Sequence, residues 1–239
     1  MESVNSSIRK FVNCMLSAVT GALAGFFHVL AGPDHLAAVA PLALDGRRHG
    51  WVAGWTWGVG HASGVVVIAL LAVLLREALP PLDVVSGWSE RLVGAALIVV
   101  GVWALRRSMR LKPAPHVHGP VRHDHLHVQA GPGWIRRLGH AHASFCLGVL
   151  HGIAGSSHFL GVIPALALPT RAAAITYIAT FGAGTVLAMT VFAAVVSHAA
   201  GHARRRHHAH RILLTASALL AIIVGGIWLM PSGAPGAHP

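Results

Sequence analysis

Apolar residues in this chain gather into long blocks, and the stretches between them are dominated by Arg, His, Pro and Gly. A helix crossing the hydrocarbon core of a bilayer needs about 20 predominantly apolar residues. Six blocks meet or approach that length: 11–44, 51–75, 88–105, 143–168, 172–196 and 212–230. The first is too long for one straight crossing, since at 1.5 Å per residue it would reach about 50 Å against a core of about 30 Å. Gly32-Pro33 offers a break near its middle, because proline lacks an amide donor and its ring clashes with the preceding helical turn.

The blocks also repeat. His28-Val-Leu-Ala-Gly-Pro-Asp-His35, with Pro41 beyond it, returns as His151-Gly-Ile-Ala-Gly-Ser-Ser-His158 with Pro164 beyond it, at a constant offset of 123 residues. One residue of slippage then aligns Gly58-Val59-Gly60-His61 with Gly182-Ala183-Gly184-Thr185. Each copy holds three blocks, an odd number, so the second copy enters the membrane in the opposite sense. That is the inverted-repeat plan of many secondary transporters, whose site lies at the midplane between repeats. The expected fold is an all-α integral membrane protein of six transmembrane helices, arranged as two inverted three-helix repeats with interrupted first and fourth helices. The chain divides into a first repeat (1–105), a His-rich loop (106–142), a second repeat (143–230) and a disordered tail (231–239). A second basic, His-bearing loop spans 198–211.

Composition agrees with that pattern: 54% of residues are hydrophobic and only 10% charged, against roughly 25% charged in soluble domains. The net charge of +11 does not argue for nucleic acid, because the basic residues sit between apolar blocks, where they set orientation. Of the 18 Lys and Arg, Arg9, Lys10, Arg76, Arg91 and Arg171 fall on one side and the remainder on the other. The positive-inside rule puts both termini outside and both His-rich loops in the cytoplasm, with a bacterial inner membrane as the expected location. Cys14 and Cys146 are isolated thiols without a CxxC pair, so no disulfide framework is expected. Arg9-Lys10 ahead of an apolar run has the look of a signal peptide, but the ionisable cluster inside that run argues for its retention.

Ionisable groups at bilayer depth are costly and are usually kept for function. Apart from the Cys14 thiol, three lie inside the first block: His28, Asp34 and His35. On an unbroken helix the two histidines would share a face yet stand roughly 10 Å apart, so a break at Gly32-Pro33 is what would bring them to one ion. His61, His151 and His158 complete a candidate shell of imidazoles around one carboxylate. Such a set suits Ni(II) or Co(II) better than Mg(II) or Ca(II), which prefer oxygen; Zn(II) is satisfied by four ligands. Asp34 offsets the charge of a dication in a low-dielectric site, and its counterpart in the second copy is Ser157. Ser156, Ser157 and Thr185 are candidates to hydrogen-bond the ligands or to cap the backbone. Plainer roles exist, Asp34 as a helix cap and a lone His as an interhelical hydrogen-bonding group, but they leave the recurrence of the pattern unexplained. Of the seven histidines between Arg106 and His142, His116, His118, His123, His125 and His127 form His-x-His tracts, a compositional signature of metal capture; the alternative is a solvated basic loop.

Taken together, these motifs resemble the nickel/cobalt transporter superfamily (NiCoT-like), in its six-span, urease-accessory-type branch. Its first-helix signature is His, four residues, then Asp-His; here His28 and Asp34-His35 are separated by one residue more, with Gly32-Pro33 between them. Gly60-His61-Ala62-Ser63, His151-Gly152-Ile153-Ala154-Gly155-Ser156 and Gly182-Ala183-Gly184-Thr185 are similar to three further family motifs. The resemblance implies a non-enzymatic transporter that moves Ni(II) or Co(II) by alternating access through a midplane His/Asp site. It implies no permanently bound cofactor, the metal being the substrate, and urease or hydrogenase maturation proteins as partners. The alternatives are a haem-binding membrane redox protein with paired histidines, or a non-transporting accessory factor that delivers nickel to urease. An intramembrane hydrolase is weakened by the single deep carboxylate and the absence of HExxH.

Overall fold

The computed structural model describes residues 2–45, 50–74, 82–118, 121–127, 133–154, 161, 163–165, 167–203 and 207–230. The first apolar block forms two helices, α1 (Glu2–Ala31) and α2 (Pro33–Asp45), broken at Gly32. Proline suits the first position of α2, where an amide would lack a helical partner, and Asp34 in the first turn meets the positive end of the helix. The break sacrifices little backbone bonding. Gly32 still donates its amide to the His28 carbonyl at 3.1 Å, and its own carbonyl accepts from the His35 amide at 3.2 Å.

Beyond α2 come α3 (Gly50–Leu74), α4 (Leu82–Met109), the strands β1 (Lys112–His118) and β2 (Val121–His127), α5 (Gly133–Ala154), α6 (Arg171–Ala203) and α7 (His207–Leu229). The bundle is helical, and one antiparallel ribbon, β1 with β2, lies outside it. Two polar segments expected as loops are therefore more ordered than their composition indicates. The 106–142 segment contains the ribbon and the first turns of α5, and α6 carries the chain to Ala203, well into the 198–211 stretch. The tail, 231–239, lies outside the described residues.

Helix packing follows a pattern of exchange. α1 lies along α6 and α3 along α5, while α3 also packs on α6 and α4 on α7. Swapping α1 with α5, α3 with α6 and α4 with α7 maps this set onto itself: α1–α6 and α3–α5 change places, and α3–α6 and α4–α7 each return to themselves. The correspondence reaches individual atoms. A Cβ at Gly25 would strike the Phe181 carbonyl oxygen, and one at Gly148, 123 residues on, would strike the Trp57 carbonyl oxygen. A Cβ at Gly60 would meet the Phe145 carbonyl, and one at Gly184 the Ala22 carbonyl. Glycine is required at these points because the backbones approach too closely for a side chain.

The core wraps around α2, whose Ala37, Ala38, Val39 and Ala43 are wholly buried against Val29, Trp57, Val93, Leu97 and Met189. A second cluster at one end joins Leu44, Ala104, Leu111, Ala200 and Leu214. Among the described residues, four helical stretches are long and apolar enough to cross a bilayer: Ser7–Ala31, Glu90–Met109, Arg171–Ala203 and His208–Leu229. Their outer faces carry exposed Phe11, Leu16, Phe27, Val99, Ile175, Val195 and Ile223. Apolar surface on that scale needs a non-aqueous neighbour, as in an integral membrane protein.

Candidate metal centre

The break at Gly32 sets the geometry of the centre. It reverses the separation that a continuous helix would impose, and the rings of His28 and His35 come to 4.9 Å between centroids. Asp34, beside them, uses both carboxylate oxygens. Its Oδ1 lies 3.1 Å from His35 Nδ1, and its Oδ2 lies 3.1 Å from His151 Nε2 on α5. One side chain from the first half therefore bridges to the second.

His35 is the hub. Its ring lies 4.6 Å from that of His151 and 5.0 Å from that of His61, which α3 contributes. Donor atoms of His28, His35 and His61 lie within 4.8 Å of one another, as do those of Asp34, His35 and His151. Around a single ion with bonds of about 2.0–2.1 Å, ligands on opposite sides stand about 4.2 Å apart, so small rotamer shifts would close either triad on a metal. Asp34, His35, His61 and His151 are buried, and His28 is half-buried. A carboxylate and four imidazoles so deep in an apolar bundle would be strongly unfavourable as separate groups; together, they form a donor set for a borderline dication.

Two aromatic residues wall the centre, and they too are related by the repeat. Phe181 lies 5.6 Å from the His28 ring and Trp57 lies 5.9 Å from the His151 ring. Sequence reasoning did not assign Trp57 a role; its alignment with Phe181, one residue off the main offset, was the available signal. Beside Trp57 and His151, a cavity of about 10 Å³ lined also by Val93, Leu97, Leu147 and Leu150 has room for about one water molecule.

Of the residues named from sequence, His28, Asp34, His35, His61 and His151 converge. His158, Ser156 and Ser157 lie outside the described residues. Thr185 is buried on α6, and its hydroxyl donates to the Phe181 carbonyl at 2.8 Å, the backbone role rather than the ligand-supporting one. The ribbon pairs His116 with His123, Ala114 with His125 and Lys112 with His127. Alternate strand residues share a face, so positions 116, 118, 123, 125 and 127 fall on one face of the ribbon.

Comparison with known proteins gives three similarities. No protein-family model and no solved structure matches the chain. It is 35% identical over 185 residues to Chloroplast protein FOR GROWTH AND FERTILITY 1 of Arabidopsis thaliana, covering 76% of this chain and 50% of the relative. The corresponding protein 2 of that plant is 36% identical over 189 residues, covering 77% of this chain and 49% of the relative. This chain thus spans about half the length of both plant relatives. Urease accessory protein UreH of Bacillus sp. (strain TB-90) is 25% identical over 219 residues, covering 88% of this chain and 90% of UreH. The chain is an integral membrane protein broadly similar, along nearly its whole length, to UreH.

Proposed function

We propose that this protein is a membrane permease for a divalent transition metal ion, Ni(II) or Co(II), which is held by His28, Asp34, His35, His61 and His151 while in transit. The carrying observation is Asp34, whose two oxygens join His35 of the first half to His151 of the second. A dication at this point would be bound by both halves at once. Six spans in two inverted repeats, α1–α2, α3 and α4 against α5, α6 and α7, account for the exchange pattern of helix packing. Rocking one triplet against the other would open the site to each side in turn. Imidazole dominates the donor set, favouring Ni(II) or Co(II) over the oxygen-seeking cations. Protons compete for the same lone pairs, so acidification weakens binding and transport is linked to proton movement. The ribbon histidines serve as a capture tract at the cytoplasmic mouth, with both termini on the opposite side.

The similarity to a urease accessory protein favours one second reading, a membrane factor that hands nickel to a maturing enzyme without carrying it across. Reconstitution separates the two. Purified protein in liposomes should move ⁶³Ni down an imposed gradient, and His28→Ala, Asp34→Asn and His35→Ala should each abolish the flux. Metal binding without flux in wild-type vesicles would leave the accessory reading, and wild-type flux in all three variants would refute the site.

A further inference from the structure

We infer that His198 and His202, on the last turns of α6, form a second metal site, a two-imidazole chelate for a borderline divalent ion such as Ni(II), Cu(II) or Zn(II), exposed at one end of the bundle. The two residues are one helical turn apart, the spacing at which side chains on a helix meet. Their rings lie 4.8 Å apart between centroids with planes at 61°, and both residues are exposed. A second, independent feature concerns His202 alone. Its Nδ1 lies 3.1 Å from the His198 carbonyl oxygen. A carbonyl can only accept, so Nδ1 carries the proton, and the neutral ring then presents its lone pair at Nε2. Metal-ligating histidines are held in this way, with the nitrogen that does not bind donating to a carbonyl or carboxylate. In its neutral form His202 is therefore oriented with Nε2 as the nitrogen available to a metal.

Its place in the fold fits capture rather than tight retention. Ala200, between the two histidines, packs in the cluster that holds Leu111, the residue just before the His-bearing ribbon. The pair thus sits at the end of the bundle from which that ribbon departs. Along α6, His198 lies about 26 Å from Phe181 at 1.5 Å per residue, and Phe181 walls the buried centre, so the two sites are separate. Two imidazoles completed by water and lacking a carboxylate bind more weakly and exchange faster than a buried set that includes one. The site does not depend on whether the protein transports, because its signature is binding.

The test uses the full chain in detergent micelles, with His116, His118, His123, His125 and His127 replaced by Asn to silence the ribbon. Ni(II) titration by calorimetry should resolve one tight and one weak equivalent. His198→Ala/His202→Ala should remove the weak equivalent, or raise its Kd at least tenfold, and leave the tight one. Asp34→Asn should do the reverse. Oxidation by Cu(II) and ascorbate, followed by peptide mass mapping, should mark His198 and His202 in the parent protein. A parent with no weak equivalent, or a double variant that keeps it, overturns the assignment. Loss of ⁶³Ni flux in vesicles with both equivalents intact would count against the permease reading alone.

Discussion

Exchanging the two halves of the chain carries His28 onto His151, Gly25 onto Gly148, and the Phe181–His28 ring contact onto the Trp57–His151 contact. The same exchange carries His61 onto Thr185 and Asp34 onto Ser157. The packing is duplicated, and in sequence so are His28 and His35 as His151 and His158, but His61 and Asp34 have no like counterpart. Helices that approach to backbone contact depend on small residues at fixed points, and both halves need those points if each is to seat against the other. A dication asks for less symmetry. One carboxylate offsets part of its charge, whereas two sharing a low-dielectric site would repel each other whenever the ion left. On the proposed reading the scaffold is twofold, and the one carboxylate at the centre comes from the first half.

The strongest way to break this comparison is to remove the charge that only the first half has. Asp34→Asn keeps size and hydrogen-bonding capacity but leaves four imidazoles without an anion. Even loss of a partner behind a metal ligand costs about 10–100-fold in affinity, so loss of Asp34 should weaken Ni(II) binding by about 100-fold or more. Calorimetry on purified protein, with circular dichroism confirming the helices, measures it. An unchanged affinity would mean that the carboxylate only caps α2.

Making the halves more alike should cost less. His61→Thr gives the first half the residue that the second already has at Thr185. His61 belongs to the triad with His28 and His35 and not to the one containing Asp34, so its loss leaves Asp34, His35 and His151 able to hold an ion. A fall in Ni(II) affinity of about tenfold, or about 1.4 kcal/mol, is expected from the same titration. A loss as large as that of Asp34→Asn would make the His61 triad the primary site.

Much of this asymmetry is legible in the residues themselves, because it consists of residue types at a constant spacing. The break in the first block was legible too, since Gly32-Pro33 is an unusual pair within an apolar run and its effect on helix geometry is known. The aromatic walls were harder to foresee. Trp57 and Phe181 sit in apolar blocks where any large residue suits lipid or core equally well, and only neighbours in space tell which. Helix ends were misjudged where apolarity and helicity part company. Arg136 and Arg137 lie in the polar segment ahead of the 143–168 block, but arginine is a good helix former, and α5 begins at Gly133. Ala199, Ala200 and Ala203 likewise carry α6 past His198 and His202, turning an expected loop into a ligand-spaced face. The ribbon was obscured by Pro113 and Pro115, which count against a strand, although its His-x-His tracts have the strand period of two.

The duplicated packing can be tested without touching a ligand. Gly25→Ala and Gly148→Ala each place a methyl group against a backbone carbonyl, of Phe181 in one case and of Trp57 in the other. Overpacking costs about 1–3 kcal/mol, against which alanine regains up to about 1 kcal/mol of helix propensity. Both variants should lose about 1–2 kcal/mol of stability, and by similar amounts, in thermal or denaturant unfolding in detergent. A large loss at one position and none at the other would show that the two contacts are not equivalent.

The smallest effect is expected at the residue that stands opposite His61. Thr185 is fully buried, and sequence alone left it between supporting a ligand and bonding the backbone. In the structure, its hydroxyl donates to the Phe181 carbonyl one turn earlier in the same helix. That carbonyl also accepts from its own helix, so removing the hydroxyl strands no buried donor. Thr185→Val preserves shape and β-branching while deleting the oxygen. A neutral hydrogen bond of this kind contributes about 0.5–1.5 kcal/mol net, and the added methyl recovers part of it by burial. Ni(II) affinity should therefore change by less than about threefold, or about 0.7 kcal/mol, with unfolding shifted by a similar amount. A tenfold loss of affinity at unchanged stability would mean that the hydroxyl turns toward the ligands once the ion is bound, and that the second half supports the site through Thr185 in addition to His151.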